Sequence, residues 1–334
     1  MCRDTLHWVK CGGRMDYKDK KVLVAGGTGL VGTNLINRLL PLGAKITTTI
    51  HKRPISAGLR GNGIEFIRCD LTKPEDCYTA CQGMDYVFMC AAVVGGAGAM
   101  AGDSLFNLTP NIIMSTYMIE AAYRAGVKKY LTFGSTTTYP PSDKPMEEHE
   151  MMVGDPYDKY FRIGWVVRFK EKLCEMYSNL ERPMPCLVLR PTNIYGPHDD
   201  FDPETSHVTP ALIRKVVEGH EPIEVWGDGE EIRDLIYVGD VVDASLLAME
   251  KIDTYNPINI GLGKGYTVNE ILQTALEVEG RKDTEVVYNK DKPTMIPERY
   301  VNIDKAERLL GWIPKTDLKT GIRKTIEWYR ENML

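Results

Sequence analysis

At 334 residues, 43% hydrophobic and 26% charged, the chain is long enough for a full α/β domain plus a smaller second one, with the balance of an ordinary globular protein. Its formal net charge of −5 argues against a nucleic-acid partner, and no apolar run approaches the ~20 residues a membrane span needs. The eight cysteines form no C-x-x-C pair, and Cys77 and Cys81 share a predicted helix face without a second pair to complete a zinc site, so reduced thiols in a cytoplasmic protein and no metal are expected.

Met1 to Met15 lack the apolar core of a signal peptide. Residues 1–19 are expected to be a flexible leader, with Met15 as an alternative start. Val22 to Ala25 then read as a short buried strand, Gly26-Gly-Thr-Gly-Leu-Val-Gly32 as a glycine turn, and Thr33 to Leu40 as a helix with apolar Leu35, Ile36, Leu39 and Leu40. Strand, glycine turn and helix in this order are the context of a dinucleotide-binding motif. Gly26 permits the tight turn, Gly29 lets a pyrophosphate approach the backbone, and Gly32 lets helix and strand pack closely. The helix N-terminus offers free N–H groups to phosphate. Candidate cofactor contacts here are Gly26, Thr28, Gly29, Leu30, Val31 and Gly32.

Ala44 to Ile50 read as the second strand. Where an acidic residue would bind the adenosine ribose of NAD, the strand runs into His51-Lys52-Arg53. His51 and Arg53 suit a ribose 2′-phosphate, which tilts the expectation to NADP over NAD, unless these are solvated loop charges. A third strand ends at Asp70, placed to accept from an adenine amino group, with Leu71 beside it. Asp85 to Ala92 form a fourth, whose small end at Ala91 and Ala92 leaves room for a cofactor. After the Val93 to Met100 loop, helical spacing returns from Asn111 to Ala125. Lys129 to Gly134 form a fifth strand, followed by the hydroxyl-rich Ser135-Thr-Thr-Thr138 at the ligand end of the sheet. The run Glu147 to Glu150 reads as a solvated loop. Trp165 to Tyr177 read as a long amphipathic helix, and Cys186 to Leu189 as a sixth strand leading to Pro191. Strands alternating with helices indicate an α/β fold, a Rossmann-type doubly wound parallel sheet. Residues 20–195 form the dinucleotide-binding domain, to which some later segments return. Residues 196–334 are mainly a smaller C-terminal α/β substrate domain, in which Glu224 to Gly229 look like a hairpin.

Together the glycine loop, the Ala91-Ala-Val-Val-Gly-Gly96 loop, Phe133-Gly-Ser-Thr-Thr-Thr-Tyr-Pro140, Pro191-Thr-Asn-Ile-Tyr-Gly-Pro-His-Asp199, Ser206 to Arg214, Val225-Trp-Gly-Asp-Gly229 and Leu310-Gly-Trp-Ile-Pro314 resemble the extended short-chain dehydrogenase/reductase family of nucleotide-sugar enzymes. The likeness spans roughly residues 20 to 330. It implies an NAD(P)-binding epimerase, reductase or dehydratase acting on a nucleotide sugar, GDP-linked and bearing a 4-keto group. It also implies a homodimer formed through the helices near 111–125 and 165–177. The family's catalytic serine falls on Ser135, its second acid/base position on Thr137 and its histidine acid/base on His207. Asn193 matches a residue beside the substrate, Lys215 stands where an arginine would meet nucleotide phosphates, and Arg233 matches an arginine on the nucleotide side. Val94, Gly95, Trp226 and Arg299 complete the candidate substrate contacts, Trp226 having a core role as its alternative.

The resemblance breaks at one place. The family's proton-transferring tyrosine and the lysine four residues later, which bonds the nicotinamide ribose, fall on Ile163 and Val167. Neither side chain can donate, accept or carry charge. Three readings stay open: a shifted alignment in which Tyr157 or Tyr160 serves as the tyrosine; chemistry through Ser135, Thr137 and His207 without it; or a pseudoenzyme that binds a dinucleotide or nucleotide sugar, alone or as a partner subunit.

Overall fold

The structure is a computed structural model that describes residues 16–98 and 105–334, so the expected leader from Met1 to Met15, and Met100, lie outside the described residues. Tyr17, inside the expected leader, is buried edge-on against Tyr86, with ring centroids 6.1 Å apart.

The first half alternates as its apolar runs dictate: β1 (Lys21–Ala25), α1 (Leu30–Leu39), β2 (Lys45–Ile50), β3 (Glu65–Arg68), α2 (Pro74–Cys81), β4 (Tyr86–Met89), α3 (Leu108–Arg124), β5 (Lys129–Phe133), α4 (Phe161–Ser178) and β6 (Cys186–Pro191). With β10 (Asn256–Ile260), the strands form a seven-stranded parallel sheet in the order β10-β6-β5-β4-β1-β2-β3. Buried parallel strands place alternate residues on two covered faces. Val22 and Val24 of β1, Phe88 of β4 and Leu187 of β6 face one core, whereas Leu23, Val87 and Val188 face the other. The second core also takes Cys77 and Cys81 of α2 and Cys174 of α4, so these thiols are packing groups. From β1 the chain winds outward to β3 and then crosses back to β4. The switch of direction between β1 and β4 opens a crevice at their carboxyl ends.

The second half does not form a separate linear block. It contributes β7 (Asn193–Tyr195), α5 (Val208–Val217), β8 (Ile223–Trp226), β9 (Ile232–Tyr237), α6 (Val238–Lys251), β11 (Gly265–Thr267), α7 (Val268–Glu279), β12 (Val286–Asn289), β13 (Glu298–Arg299), α8 (Asp304–Leu310) and α9 (Leu318–Met333). Helices α6 and α8 and strand β10 return to the large sheet, where Val241, Met249, Ile258 and Leu310 join its first core. Helices α5, α7 and α9 enclose a separate core around Ile213, Ile271 and Ile322.

The expected hairpin at Glu224 to Gly229 is not one. Gly227 and Gly229 do turn the chain, at φ 81° and 80°, but β8 pairs in parallel with β12, and β9 pairs with β7, β11 and β13. The turn is written locally, while the pairing partner lies about sixty residues away and leaves no local signal. The acidic run 147–150 is likewise no solvated loop. It opens a short helical turn with a capping box between Glu147 and Glu150, and Glu148 accepts from the backbone N–H of Asn259 at 2.8 Å. Among the described residues no helix is long and apolar enough to cross a membrane.

Candidate active site

The glycine turn lies at the carboxyl end of β1, and its demand is for absent side chains. Gly26 has φ 85°, and a Cβ there would stand 2.7 Å from the Ala91 nitrogen; one at Gly32 would stand 2.7 Å from the Gly27 Cα. Thr49 Oγ1 accepts from the Gly26 N–H at 2.9 Å and Thr33 Oγ1 donates to the Gly27 carbonyl at 2.9 Å, which pins the turn from both sides. Gly29 is the N-cap of α1 and no side chain caps the helix. The first N–H groups of α1, at half-buried Leu30 and Val31, therefore face the crevice as an anion cradle beside half-buried Thr28. This cradle fits the pyrophosphate of a dinucleotide.

At the end of β2, His51, Lys52 and Arg53 line a cavity of about 560 Å³, joined by Arg60 and Arg68, which the sequence reading missed. Arg53 also forms a half-exposed ion pair with Asp200 at 3.2 Å, which contributes little in water. Thr72 holds Asp70 Oδ1 through its N–H at 3.1 Å and its hydroxyl at 2.7 Å, and these bonds keep the Asp70 carboxyl below its ordinary pKa. Leu71 turns into the core.

On the other side of the crevice, Ala91 is half-buried and Ala92 exposed. Asn111 of α3 clamps the loop that follows, accepting from the Val93 N–H and donating to its carbonyl, both at 2.9 Å. Val94 is exposed and Gly95 half-buried. Gly96 donates to the Thr205 carbonyl at 2.9 Å, and a Cβ at Gly96 would run into the Ser206 carbonyl. This close approach docks the strap before α5 onto the crevice and fixes His207, the N-cap residue of α5. Burial lowers the His207 pKa, against a smaller opposing pull from Asp200, so its imidazole is neutral near pH 7 and able to accept a proton. Trp226 reaches the same loop, its Cη2 3.4 Å from where a Gly98 Cβ would stand.

Ser135 follows β5 and its Oγ accepts from the Thr137 N–H at 3.1 Å and from the Thr137 hydroxyl at 2.9 Å. With both bonds donated to it, Ser135 keeps its own O–H for an oxygen in the crevice. Thr137 thus serves Ser135 directly. Beneath them Arg190 and Glu171 form a fully buried ion pair at 2.7 Å, and Arg190 also donates to the Tyr139 hydroxyl at 2.8 Å. A Cβ at Gly134 would collide with Glu171, so the glycine before Ser135 is what lets this pair form under the turn.

Helix α4 approaches the same turn at Gly164, where a Cβ would stand 2.6 Å from the Thr137 carbonyl and from Pro156. Ile163 and Val167 flank this contact on the helix, the former half-buried and the latter buried. The crowding at Gly164 leaves no room for a lysine four residues after Tyr160. Tyr160 turns instead to the small domain, where the Arg299 guanidinium lies 4.2 Å from its ring centroid and Tyr157 packs at 6.1 Å. Arg299 pairs in register with Arg233 across β13 and β9. Burial lowers the pKa of both, Arg299 to about 10, and the Arg299 Nη2 atom is buried without a partner among the described residues. Lys215 donates to the Glu224 carbonyl at 2.6 Å, and Trp226 Nε1 donates to the Glu224 carboxylate at 3.1 Å. Asn193 is exposed on β7 and Pro191 buried at the end of β6.

Two residues of the site carried a faint signal that the sequence reading passed over. Asp199, at the end of the Pro191–Asp199 run, has a buried Oδ2 without a partner among the described residues. Lys170 repeats the face of Ile163 and Val167 one turn further along α4. Among the described residues no group of His, Cys, Asp and Glu could hold a metal.

These features agree with the comparisons to known proteins. The pattern of the NAD dependent epimerase/dehydratase family matches residues 22–261. GDP-L-fucose synthase of Escherichia coli (strain K12) is 31% identical, covering 94% of this chain and 97% of that protein. The UDP-glucose 4-epimerase of Thermotoga maritima, solved with UDP-glucose, superposes with a TM-score of 0.83 at 28% identity, covering 94% and 100% of the two chains. The UDP-glucose 4-epimerase of Thermus thermophilus, solved with NAD, gives 0.81 at 25% identity, covering 93% and 99%. On sequence and fold together, the chain belongs to the NAD-dependent epimerase/dehydratase family.

Proposed function

We propose that the protein is an NADP-dependent enzyme acting on a GDP-linked 4-keto hexose by epimerisation, reduction or both. One observation carries this reading: the Gly96–Thr205 contact brings His207 to the crevice that already holds the glycine cradle and the Ser135–Thr137 pair. The likeness to GDP-L-fucose synthases supports the GDP-linked sugar. The cavity lined by His51, Lys52, Arg53, Arg60 and Arg68 supports NADP over NAD, since a ribose 2′-phosphate there meets several cations.

A coenzyme held on the glycine cradle of Gly26, Gly29 and Gly32 would supply hydride for C4 of the sugar. Ser135 donates its O–H to the C4 carbonyl oxygen and so stabilises the negative charge that develops there, either on hydride arrival or on removal of a neighbouring proton. Thr137 orients Ser135. Neutral His207 removes the proton beside the ketone while Ser135 holds the enolate oxygen, and protonation of the enolate's opposite face by water completes an inversion. Arg233, Arg299 and Lys215 gather on the nucleotide side, where the unpartnered Arg299 Nη2 suits a phosphate oxygen. The role of Thr137 here is to position Ser135, and those of Tyr157 and Tyr160 are on the substrate side. The exposed apolar face of α4, where Phe161, Trp165 and Phe169 recur every fourth residue, beside the hollow formed by Tyr123, Met176, Tyr177 and Leu180, supports a homodimer. Sedimentation at micromolar concentration tests it.

Ile163 and Val167 favour a second reading, a pseudoenzyme that binds coenzyme and sugar nucleotide. Coenzyme consumption with GDP-4-keto-6-deoxymannose, using NADPH and NADH separately, tests the two. Turnover with NADPH exceeding that with NADH is expected; tight NADPH binding without turnover overturns the reductase reading for that substrate.

A further inference from the structure

Lys170 is an ionisable residue of α4 that the proposed chemistry leaves unused, and its side chain reaches the end of β5. Ile163, Val167 and Lys170 stand at helical spacing on one face, and the Gly164 contact holds that face against the Ser135 turn. Lys170 Nζ donates to the carbonyl of Phe133, the last residue of β5. The direction of that carbonyl places the ammonium. The N–H of Gly134 donates to the Leu189 carbonyl of β6, so Gly134 faces β6, and Phe133, one residue earlier, turns its carbonyl toward β4. The Lys170 ammonium therefore reaches the gap between the carboxyl ends of β4 and β5, whose rims continue into Ala91 and Ser135.

This cation is poorly provided for. The neighbouring carboxylate, Glu171, is committed to Arg190 through bonds of 2.7 to 3.1 Å. An ammonium has three donors, and the Phe133 carbonyl uses one. Burial lowers the Lys170 pKa, opposed by Cys174 and Glu171. On a half-buried lysine, an ammonium with one neutral acceptor among the described residues is costly to keep for packing alone. At the end of a sheet, beside a coenzyme crevice, it is well placed to receive an anionic or hydroxyl-bearing ligand.

We infer that Lys170 binds the nicotinamide half of the coenzyme: held on the Phe133 carbonyl, it donates to a ribose oxygen in the β4–β5 gap, from one helical turn beyond the apolar Val167. The inference rests on the coenzyme-binding reading proposed above. It places the charge that the helix lacks at position 167 on a longer reach from position 170.

Fluorescence titration of the full-length protein tests it, using NADPH and NADH and their adenine halves, 2′,5′-ADP and ADP. Lys170→Met is expected to weaken the coenzyme that the wild type binds by roughly 10- to 100-fold, the usual effect of a lost charged hydrogen bond, and to leave the matching adenine half unchanged. Val167→Lys added to Lys170→Met is expected to recover most of the loss, which a purely structural lysine would not allow. Should Lys170→Met not fold, Lys170→Gln carries the same comparison. Unchanged coenzyme affinity, or equal weakening of coenzyme and adenine half, overturns the inference alone. A wild type that binds neither coenzyme overturns the functional reading and this inference with it.

Discussion

The glycine turn after β1 and the start of α4 meet the same crevice from opposite faces of the sheet, and they are specified in different ways. At the turn, function resides in the backbone: Gly26 and Gly32 are needed because any Cβ would strike the Ala91 or Gly27 backbone. At α4 the backbone is equally constrained, through Gly164 against the Thr137 carbonyl, yet the positions to which the resemblance assigns a tyrosine and a lysine hold Ile163 and Val167. Docking geometry and proton chemistry are therefore separable in this chain. On the proposed reading, the glycine cradle offers a coenzyme its backbone N–H groups, and the α4 positions beside it offer no group for proton transfer.

The comparison breaks most visibly at the turn. Gly32→Val forces a side chain against Gly27 and the Gly26 carbonyl; coenzyme binding should fall below detection, with a stability loss of about 1–3 kcal/mol from overpacking, measured by titration and thermal melting. Binding retained at wild-type strength would show that the cradle is not the coenzyme site. Next in size is His207→Gln, expected to lower turnover by ~10²–10⁴ while the fold persists. Because burial lowers the His207 pKa, the neutral base survives below the ordinary histidine value, and the acid limb of the wild-type pH–rate profile should lie below pH ~6.5. A limb above that value counts against His207 as the base.

Ile163→Tyr with Val167→Lys asks which state α4 is in. In a rebuilt site the new side chains intrude, and turnover should fall by roughly 10²-fold; a gain of similar size identifies a pseudoenzyme. A smaller effect is expected from Arg60→Ala in the cationic cavity. It should weaken NADPH about tenfold through one lost charge-assisted bond and leave NADH unchanged, which equilibrium titration resolves.

The same division explains what was legible in the sequence. Gly26, Gly29 and Gly32 could be read because their spacing is local and sits between a strand and a helix. The large sheet could be read because apolar runs of four to six residues alternate with helical patterns. The pairing of β8 with β12 was not legible, nor was the return of α6, α8 and β10 to the first core, because both depend on contacts distant in sequence. Ser135 and His207 were placed through quoted motifs. That Thr137 serves Ser135, that Asn111 clamps the Val93 backbone and that Tyr160 turns to Arg299 are facts of side-chain direction, which spacing does not encode. Arg60 and Arg68 carry no local signal, because only the fold brings them beside His51.

The strap from Gly196 to His207 links the two regions, and Asp199 offers the mildest test of it. Its Oδ1 accepts from the Asp200 N–H at 2.7 Å, while Oδ2 is buried without a partner among the described residues. Burial pushes the Asp199 pKa up to about 7 against the Asp200 N–H bond, which lowers it; the Asp200 carboxylate adds a smaller rise and Arg53 opposes it. A carboxyl whose folded pKa lies above its unfolded value stabilises the fold fully below the unfolded pKa and loses that contribution as pH rises through the folded one. Asp199→Asn keeps the shape and removes the titration. Relative to wild type, the variant should gain nothing near pH ~4 and on the order of 2 kcal/mol by pH ~8, read as a melting-temperature difference that widens across that range. A difference independent of pH would mean that Asp199 is solvated or paired in solution, and that the strap holds His207 through the Gly96 contact without a neutral carboxyl beneath it. A difference that widens further when Arg53 is also replaced would tie the strap to the cationic cavity at the end of β2 through Arg53, since the guanidinium opposes the rise in the Asp199 pKa.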